Sequence, residues 1–187
     1  MSIFYIADTH FGHANIIRLN NRPFYNVDEM DRTMIENWNS RVQKDDIVYM
    51  LGDFAFKSAN HPAGILDKLN GHKILIKGNH DGRNLKDPVF RKHFEEICDR
   101  KTINDNGRMV VMDHFPLIEW DGFFRGSYLV YGHIHNNTRN FAYKCMRELD
   151  NALNAGVDIN QFMPVTLDEL IVNNKIFKSN NKVWFGG

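Results

Sequence analysis

Five short apolar runs constrain the fold of this chain: IFYIA at 3–7, IVYML at 47–51, KILIK at 73–77, RMVVM at 108–112 and YLVYG at 128–132. They are rich in Ile, Val, Tyr and Phe and too short for helices, so they read as buried strands. Segments of helical period lie between and after them. In 27–42, Val27, Met30, Met34, Trp38 and Val42 recur at helical spacing, and Asp28 is placed to cap the start. Residues 62–71 open on Pro62 and stop at Gly71, and 87–97 and 166–174 complete the predicted helices, the last begun by Thr166. Strands alternating with helices predict an α/β layered fold, and the strand-rich stretch 97–147 predicts a mixed sheet. No repeat, low-complexity tract or linker interrupts the pattern, and 187 residues fit one domain, 1–187. The tail KSNNKVWFGG (178–187) reads as either a last strand or a partly ordered end.

Composition excludes several classes. At 43% hydrophobic and 25% charged the chain has the profile of a globular protein with a sizeable core. Its 23 basic residues balance its 23 acidic ones, which argues against a binder of long nucleic acid or of membranes. No stretch approaches the roughly 20 apolar residues of a membrane span. The N-terminus reads directly as a strand rather than a signal peptide. Cys98 and Cys145 read as reduced thiols, and the expected location is the cytoplasm.

The functional signal is positional. The first strand is followed by Asp8-Thr9-His10, the second by Gly52-Asp53, the third by Gly78-Asn79-His80-Asp81, the fourth by Asp113-His114 and the fifth by Gly132-His133-Ile134-His135. Each strand delivers a metal-competent side chain at its C-terminal end, the edge where sites form in open α/β sheets. His133 and His135, two apart on an extended segment, point to the same side. Asp8, His10, Asp53, Asn79, His114, His133 and His135 are too many ligands for one ion with open positions, and suit two ions bridged by a carboxylate. Imidazole, carboxylate and carbonyl ligands without thiolate suit Mn²⁺ first, with Fe, Zn²⁺ or Ni²⁺ as alternatives. Two divalent ions against two carboxylates leave a net positive cluster, which attracts phosphate.

In this order, DTH, GD, GNHD, the single His of DHFP, and GHIH resemble the motifs of the calcineurin-like metallophosphoesterases over residues 8–135. NAGVDINQFMPVTLDELI (154–171) is similar to that family's closing strand and helix. The resemblance implies an α-β-β-α sandwich with a dinuclear site at one edge. It places Asp8, His10, Asp53 and His135 on one metal, and Asn79, His114 and His133 with the bridging Asp53 on the other. It makes His80 the group that contacts phosphate and protonates the leaving oxygen, with Asp81 orienting its ring. The nucleophile it implies is a hydroxide on the metals. The implied activity is a phosphodiesterase on small diesters or nucleotides, with a phosphomonoesterase or a non-catalytic scaffold as alternatives.

One departure from the family pattern is Phe56, where many members carry an Asp three residues after the bridging one. His13 reads as either a neighbour of the site that contacts substrate phosphate or a plain loop histidine. Arg83 reads as either a phosphate clamp or a solvated loop residue. Phe115, Trp120, Phe123 and Phe124 either stack on a base or pack their loop down. His61, His72 and His93 receive no role.

Overall fold

A computed structural model of the chain describes residues 1–56 and 62–180. Strands β1 (Ile3–Ile6), β2 (Ile47–Met50), β3 (His72–Ile76) and β4 (Glu96–Cys98) form a parallel sheet in that order. Strands β5 (Arg100–Asp105), β6 (Arg108–Asp113), β7 (Tyr128–Tyr131) and β8 (Ala152–Asn154) form a second sheet, also in chain order. There β5 and β6 pair antiparallel and the rest are parallel, so this sheet is the mixed one. The helices are α1 (Ala14–Leu19), α2 (Val27–Arg41), α3 (Pro62–Leu66), α4 (Pro88–Arg91), α5 (Phe141–Met146) and α6 (Leu167–Asn180).

Alternation along the strands divides the apolar side chains into layers. Tyr5, Tyr49, Ile74 and Ile76 meet Val110, Met112, Val130 and Leu153 between the two sheets, with Leu167 and Leu170 of α6 in the same cluster. Phe4, Ile6, Val48, Met50 and Leu75 face the other way, against Met30, Met34 and Trp38 of α2, Leu66 of α3 and Phe90 of α4. On the far side, Val111, Leu129, Tyr131 and Ala152 pack on Tyr143 and Met146 of α5. The result is the expected α-β-β-α sandwich.

All five predicted strands form, within a residue or two of the expected limits. Helix α2 also forms as read, but Asn26 rather than Asp28 caps it, accepting the Glu29 N–H at 2.9 Å. Thr166 and Glu169 cap α6 reciprocally: the Glu169 carboxylate takes the Thr166 N–H at 2.8 Å, and Thr166 Oγ1 takes the Glu169 N–H at 3.4 Å. The helix then runs to Asn180, past the expected end at 174, and the tail reading for 181–187 lies outside the described residues. The segment 62–71 is helical only to Leu66. The helix expected at 87–97 is a single turn, and its last residues become β4, because pairing of Ile97 with Leu75 completes the sheet edge. Strand β5 and helix α5 were not expected. Cys98 and Cys145 are both free thiols. Among the described residues no helix is long and apolar enough to cross a membrane.

Trp38 is fully buried at the centre of the α2 interface, and its indole N–H reaches the Asn70 carbonyl at 3.0 Å. Trp38→Ala is expected to lower the unfolding free energy by about 3–5 kcal/mol, read from urea denaturation.

Candidate metal centre

The C-terminal ends of strands from both sheets meet at one edge. Asp8 and His10 leave β1, Asp53 leaves β2, Asn79 leaves β3, His114 leaves β6, and His133 and His135 leave β7. The fold brings all seven together. Ligand atoms of Asp8, His10 and His135 lie within 4.8 Å of one another, as do those of Asp8, Asp53 and His114. Asn79 Oδ1 lies 3.0 Å from His114 Nε2 and 3.0 Å from His133 Nδ1. Asp8 is common to both groups, and Asp53 Oδ2, in the second, lies 3.6 Å from His114 Nε2 of its own group and 3.8 Å from His10 Nε2 of the first.

Close approach of backbones makes this convergence possible. A Cβ on Gly52, which has φ +82°, would lie 2.5 Å from Gly78 Cα and 2.6 Å from His114 Nδ1. Asp8, His10, Asp53, His133 and His135 all adopt left-handed backbone, with φ between 51° and 72°. Non-glycine residues do so rarely, and clusters of such residues mark functional sites.

The polar atoms fit a cation. Among the described residues, six buried side-chain atoms lack a hydrogen-bond partner, and four belong here: Asp8 Oδ1, both ring nitrogens of His10, and His13 Nδ1. Buried polar groups are nearly always satisfied, so this concentration is itself a signal. His114 Nδ1 lies 2.7 Å from the Leu51 carbonyl and donates to it. Its Nε2 then presents a lone pair to the carbonyl oxygen of Asn79, a contact that needs a proton or a cation between the two. Burial drives the His10 pKa down to about 2, so its ring is neutral and ready to ligate. Burial also pushes Asp8 up to about 6, despite the opposing pull of His135 and His114, which is the signature of a carboxylate short of positive charge.

His80 is not part of either group of ligand atoms. Its N–H donates to Asp53 Oδ1 at 2.8 Å, and its half-exposed ring places Nε2 at 3.9 Å from Asp53 Oδ2. Asp81 departs from its expected task. Its fully buried carboxylate accepts the N–H groups of Gly78 at 2.8 Å, Asp53 at 2.9 Å and Phe54 at 3.0 Å. Those bonds use the carboxylate to lock the β2 and β3 exits together, not to orient the His80 ring.

His13 stands at the site edge, its ring stacked on Phe56 at 3.8 Å and 5.5 Å from the His10 ring. Arg83 is exposed at the head of a short 3₁₀ turn, and no described contact ties its side chain to the ligands. Within the aromatic loop, Trp120 and Phe123 pack down as a T-shaped pair, and the indole N–H of Trp120 reaches Ser127 Oγ at 3.0 Å. Phe115 instead flanks the ligands, 4.6 Å from the His133 ring, and Phe124 projects into solvent. His72 and His93 pair with Glu95 and Asp67 away from the site, and His61 lies outside the described residues.

Sequence reasoning missed a layer behind the ligands. Asp158 Oδ2 lies 3.0 Å from His135 Nδ1, and Arg22 Nε meets Asp158 Oδ1 at 2.9 Å. Burial alone would lower the pKa of His135, but the bond to Asp158 and the Asp8 charge outweigh it and raise it. Nothing in local periodicity marks Arg22 or Asp158. The only sequence hint is that Asp158 falls within the closing motif.

Comparison with known proteins identifies the family. The family model described as calcineurin-like phosphoesterase matches residues 1–183. The uncharacterized protein MJ1445 of Methanocaldococcus jannaschii is 36% identical over 184 residues, covering 96% of each chain. The gene 66 protein of Mycobacterium phage L5 is 30% identical over 159 residues, covering 71% of this chain and 76% of that one. The crystal structure of the protein of unknown function AQ665 from Aquifex aeolicus superposes with a TM-score of 0.68 at 29% identity, covering 87% of this chain and 94% of that one. With the family model spanning nearly the whole chain and the sandwich carrying the ligand-competent edge, this protein belongs to the calcineurin-like phosphoesterase family.

Proposed function

We propose that this protein is a metal-dependent phosphodiesterase acting on small phosphodiesters or nucleotides, with Mn²⁺ as its working ion. The observation that carries the reading is the position of Asp53. One carboxylate oxygen lies within 4 Å of His10 from one ligand group, His114 from the other, and the His80 ring. A bridging carboxylate with an acid–base residue beside it is the arrangement that a phosphoryl displacement needs.

Asp8, His10, Asp53 and His135 would hold one ion, and Asp53, Asn79, His114 and His133 the other. Bound there, the ions would supply Lewis acidity toward the phosphoryl oxygens and lower the pKa of water. The chain's own residues do the rest. The Asp81 carboxylate fixes the backbone of Asp53, and Asp53 Oδ1 fixes that of His80, so the imidazole is held at the ligand edge. From there a protonated His80 gives its proton to the departing ester oxygen, which leaves as a neutral alcohol. The ring is half-exposed, so the leaving group lies toward solvent and the site stays open enough for a second ester substituent. Phe115 beside His133 offers that substituent an apolar wall.

The test is hydrolysis of bis-p-nitrophenyl phosphate by metal-stripped protein titrated with Mn²⁺, with p-nitrophenyl phosphate run in parallel. Mn²⁺-dependent cleavage of the diester supports the proposal. Cleavage of the monoester alone replaces it with a phosphomonoesterase, and no cleavage of either by metal-loaded protein favours a binding scaffold. His80→Ala is expected to keep both ions by elemental analysis while losing roughly 10²–10⁴ in rate, the usual weight of general acid catalysis. Asp53→Ala is expected to lose metal and activity together; retention of two ions would rule out the bridge.

A further inference from the structure

The segment 154–158, NAGVD, takes no part in the chemistry above, yet it lies directly behind His135. We propose that Asp158 and Arg22, helped by Asn154, are positioning residues that mount His135 in one tautomer and fix its distance from Asp8 and His10. The inference rests on the metal reading of the site.

His135 is gripped at two points. Its ring Nδ1 meets Asp158 Oδ2 at 3.0 Å, and its backbone carbonyl accepts Asn154 Nδ2 at 2.8 Å. Asp158 is gripped in turn. Arg22 Nε donates to its Oδ1 at 2.9 Å, while Arg22 Nη2 and Asn20 Nδ2 each donate to its Oδ2 at 3.2 Å. The remaining reach of the same guanidinium goes to the β1 exit: Nη1 to the Thr9 carbonyl at 2.8 Å and Nη2 to the Asp8 carbonyl at 2.8 Å. The Arg22 side chain is 0% exposed and that of Asp158 1%. One buried cation therefore ties the backbone between Asp8 and His10, from one sheet, to the carboxylate that holds His135, from the other. With Nδ1 donating to Asp158, the lone pair of His135 is on Nε2, free for the Asp8–His10 group. A carboxylate behind a ligating histidine sets both tautomer and ring orientation.

This makes Asp158→Asn informative. The amide keeps the shape of the carboxylate but offers one acceptor in place of two. Turned one way, its NH₂ faces His135 Nδ1, and the ring must then accept there and carry its proton on Nε2, which blocks ligation; turned the other way, its NH₂ faces the Arg22 Nε–H and breaks the pair that fixes the mount. Mn²⁺ titration by calorimetry, with elemental analysis, reads the effect. Wild type is expected to bind two ions. Asp158→Asn is expected to keep one at wild-type affinity and to weaken the other by roughly 10- to 100-fold. Two ions bound at wild-type affinity would overturn the mount and leave the metal reading intact, whereas wild type that takes up no Mn²⁺ would overturn both. The tautomer provides a test independent of the variant's folding. In long-range ¹H–¹⁵N spectra of metal-free wild type at about pH 9, where a histidine is neutral, His135 is expected to carry its proton on Nδ1. A proton on Nε2 would overturn the proposal.

Discussion

The seam between the two sheets is the feature on which the rest of the molecule depends. The Ala7 N–H bonds to the Ala155 carbonyl at 2.9 Å, and the Val157 N–H to the Ala7 carbonyl at 3.1 Å. Two residues earlier, Tyr5 and Val165 exchange both of their backbone bonds, at 2.8 and 3.1 Å. The first strand of one sheet is thereby stitched to the chain leaving the last strand of the other. Most of the contact between the sheets is apolar side-chain packing, which is non-directional, and the stitch adds directional bonds to it. With it, strand exits separated by more than 120 residues open onto one edge. Asp8 follows the stitch directly, and its Oδ2 takes the His133 N–H at 2.8 Å.

Gathering so many polar groups at a buried edge costs free energy in two ways. Left-handed backbone at five candidate ligand positions costs about 1–2 kcal/mol per residue for L-amino acids, less for Asp and His than for bulkier residues. Unpartnered buried atoms on Asp8 and His10 add a desolvation cost. The surroundings offset this with short, charge-assisted bonds to backbone. Asp81 takes three N–H groups, Asp53 one and Asp8 one. The polar cluster of Asn154, Asn160 and Asn174 is likewise satisfied, with Asn154 receiving bonds from both of its partners. An arrangement that is over-determined by its neighbours can hold strain that no single residue would sustain.

Local patterns made most of the fold legible. Short β-branched runs gave the strands their identity, and the Met30–Met34–Trp38 spacing marked the buried face of α2. The failures came where local and tertiary signals disagree. The stretch 87–97 has helical spacing, yet Glu96–Cys98 pairs at the sheet edge because a ladder partner was waiting there. Strand β5 was missed because it faces solvent on one side and is polar. Its turn, Asn106-Gly107, with φ of 51° and 84°, is nevertheless a strong hairpin signal.

By itself the sequence determined which polar side chains stand at the strand ends. A buried strand must end somewhere, and a polar residue immediately after it is presented at the sheet edge, so strand-end position picked out all seven ligand candidates, while His80 was marked by the family resemblance of its motif. Only the tertiary structure decided how those groups are held. Asp81 adjoins His80 in sequence, yet its carboxylate turns back to the N–H groups of Asp53 and Phe54. Arg22 and Asp158 are 136 residues apart and share no pattern, yet they form one buried pair behind His135. Hydrogen bonds depend on where donors and acceptors point after the chain has packed, and that direction is written in no window of neighbouring residues.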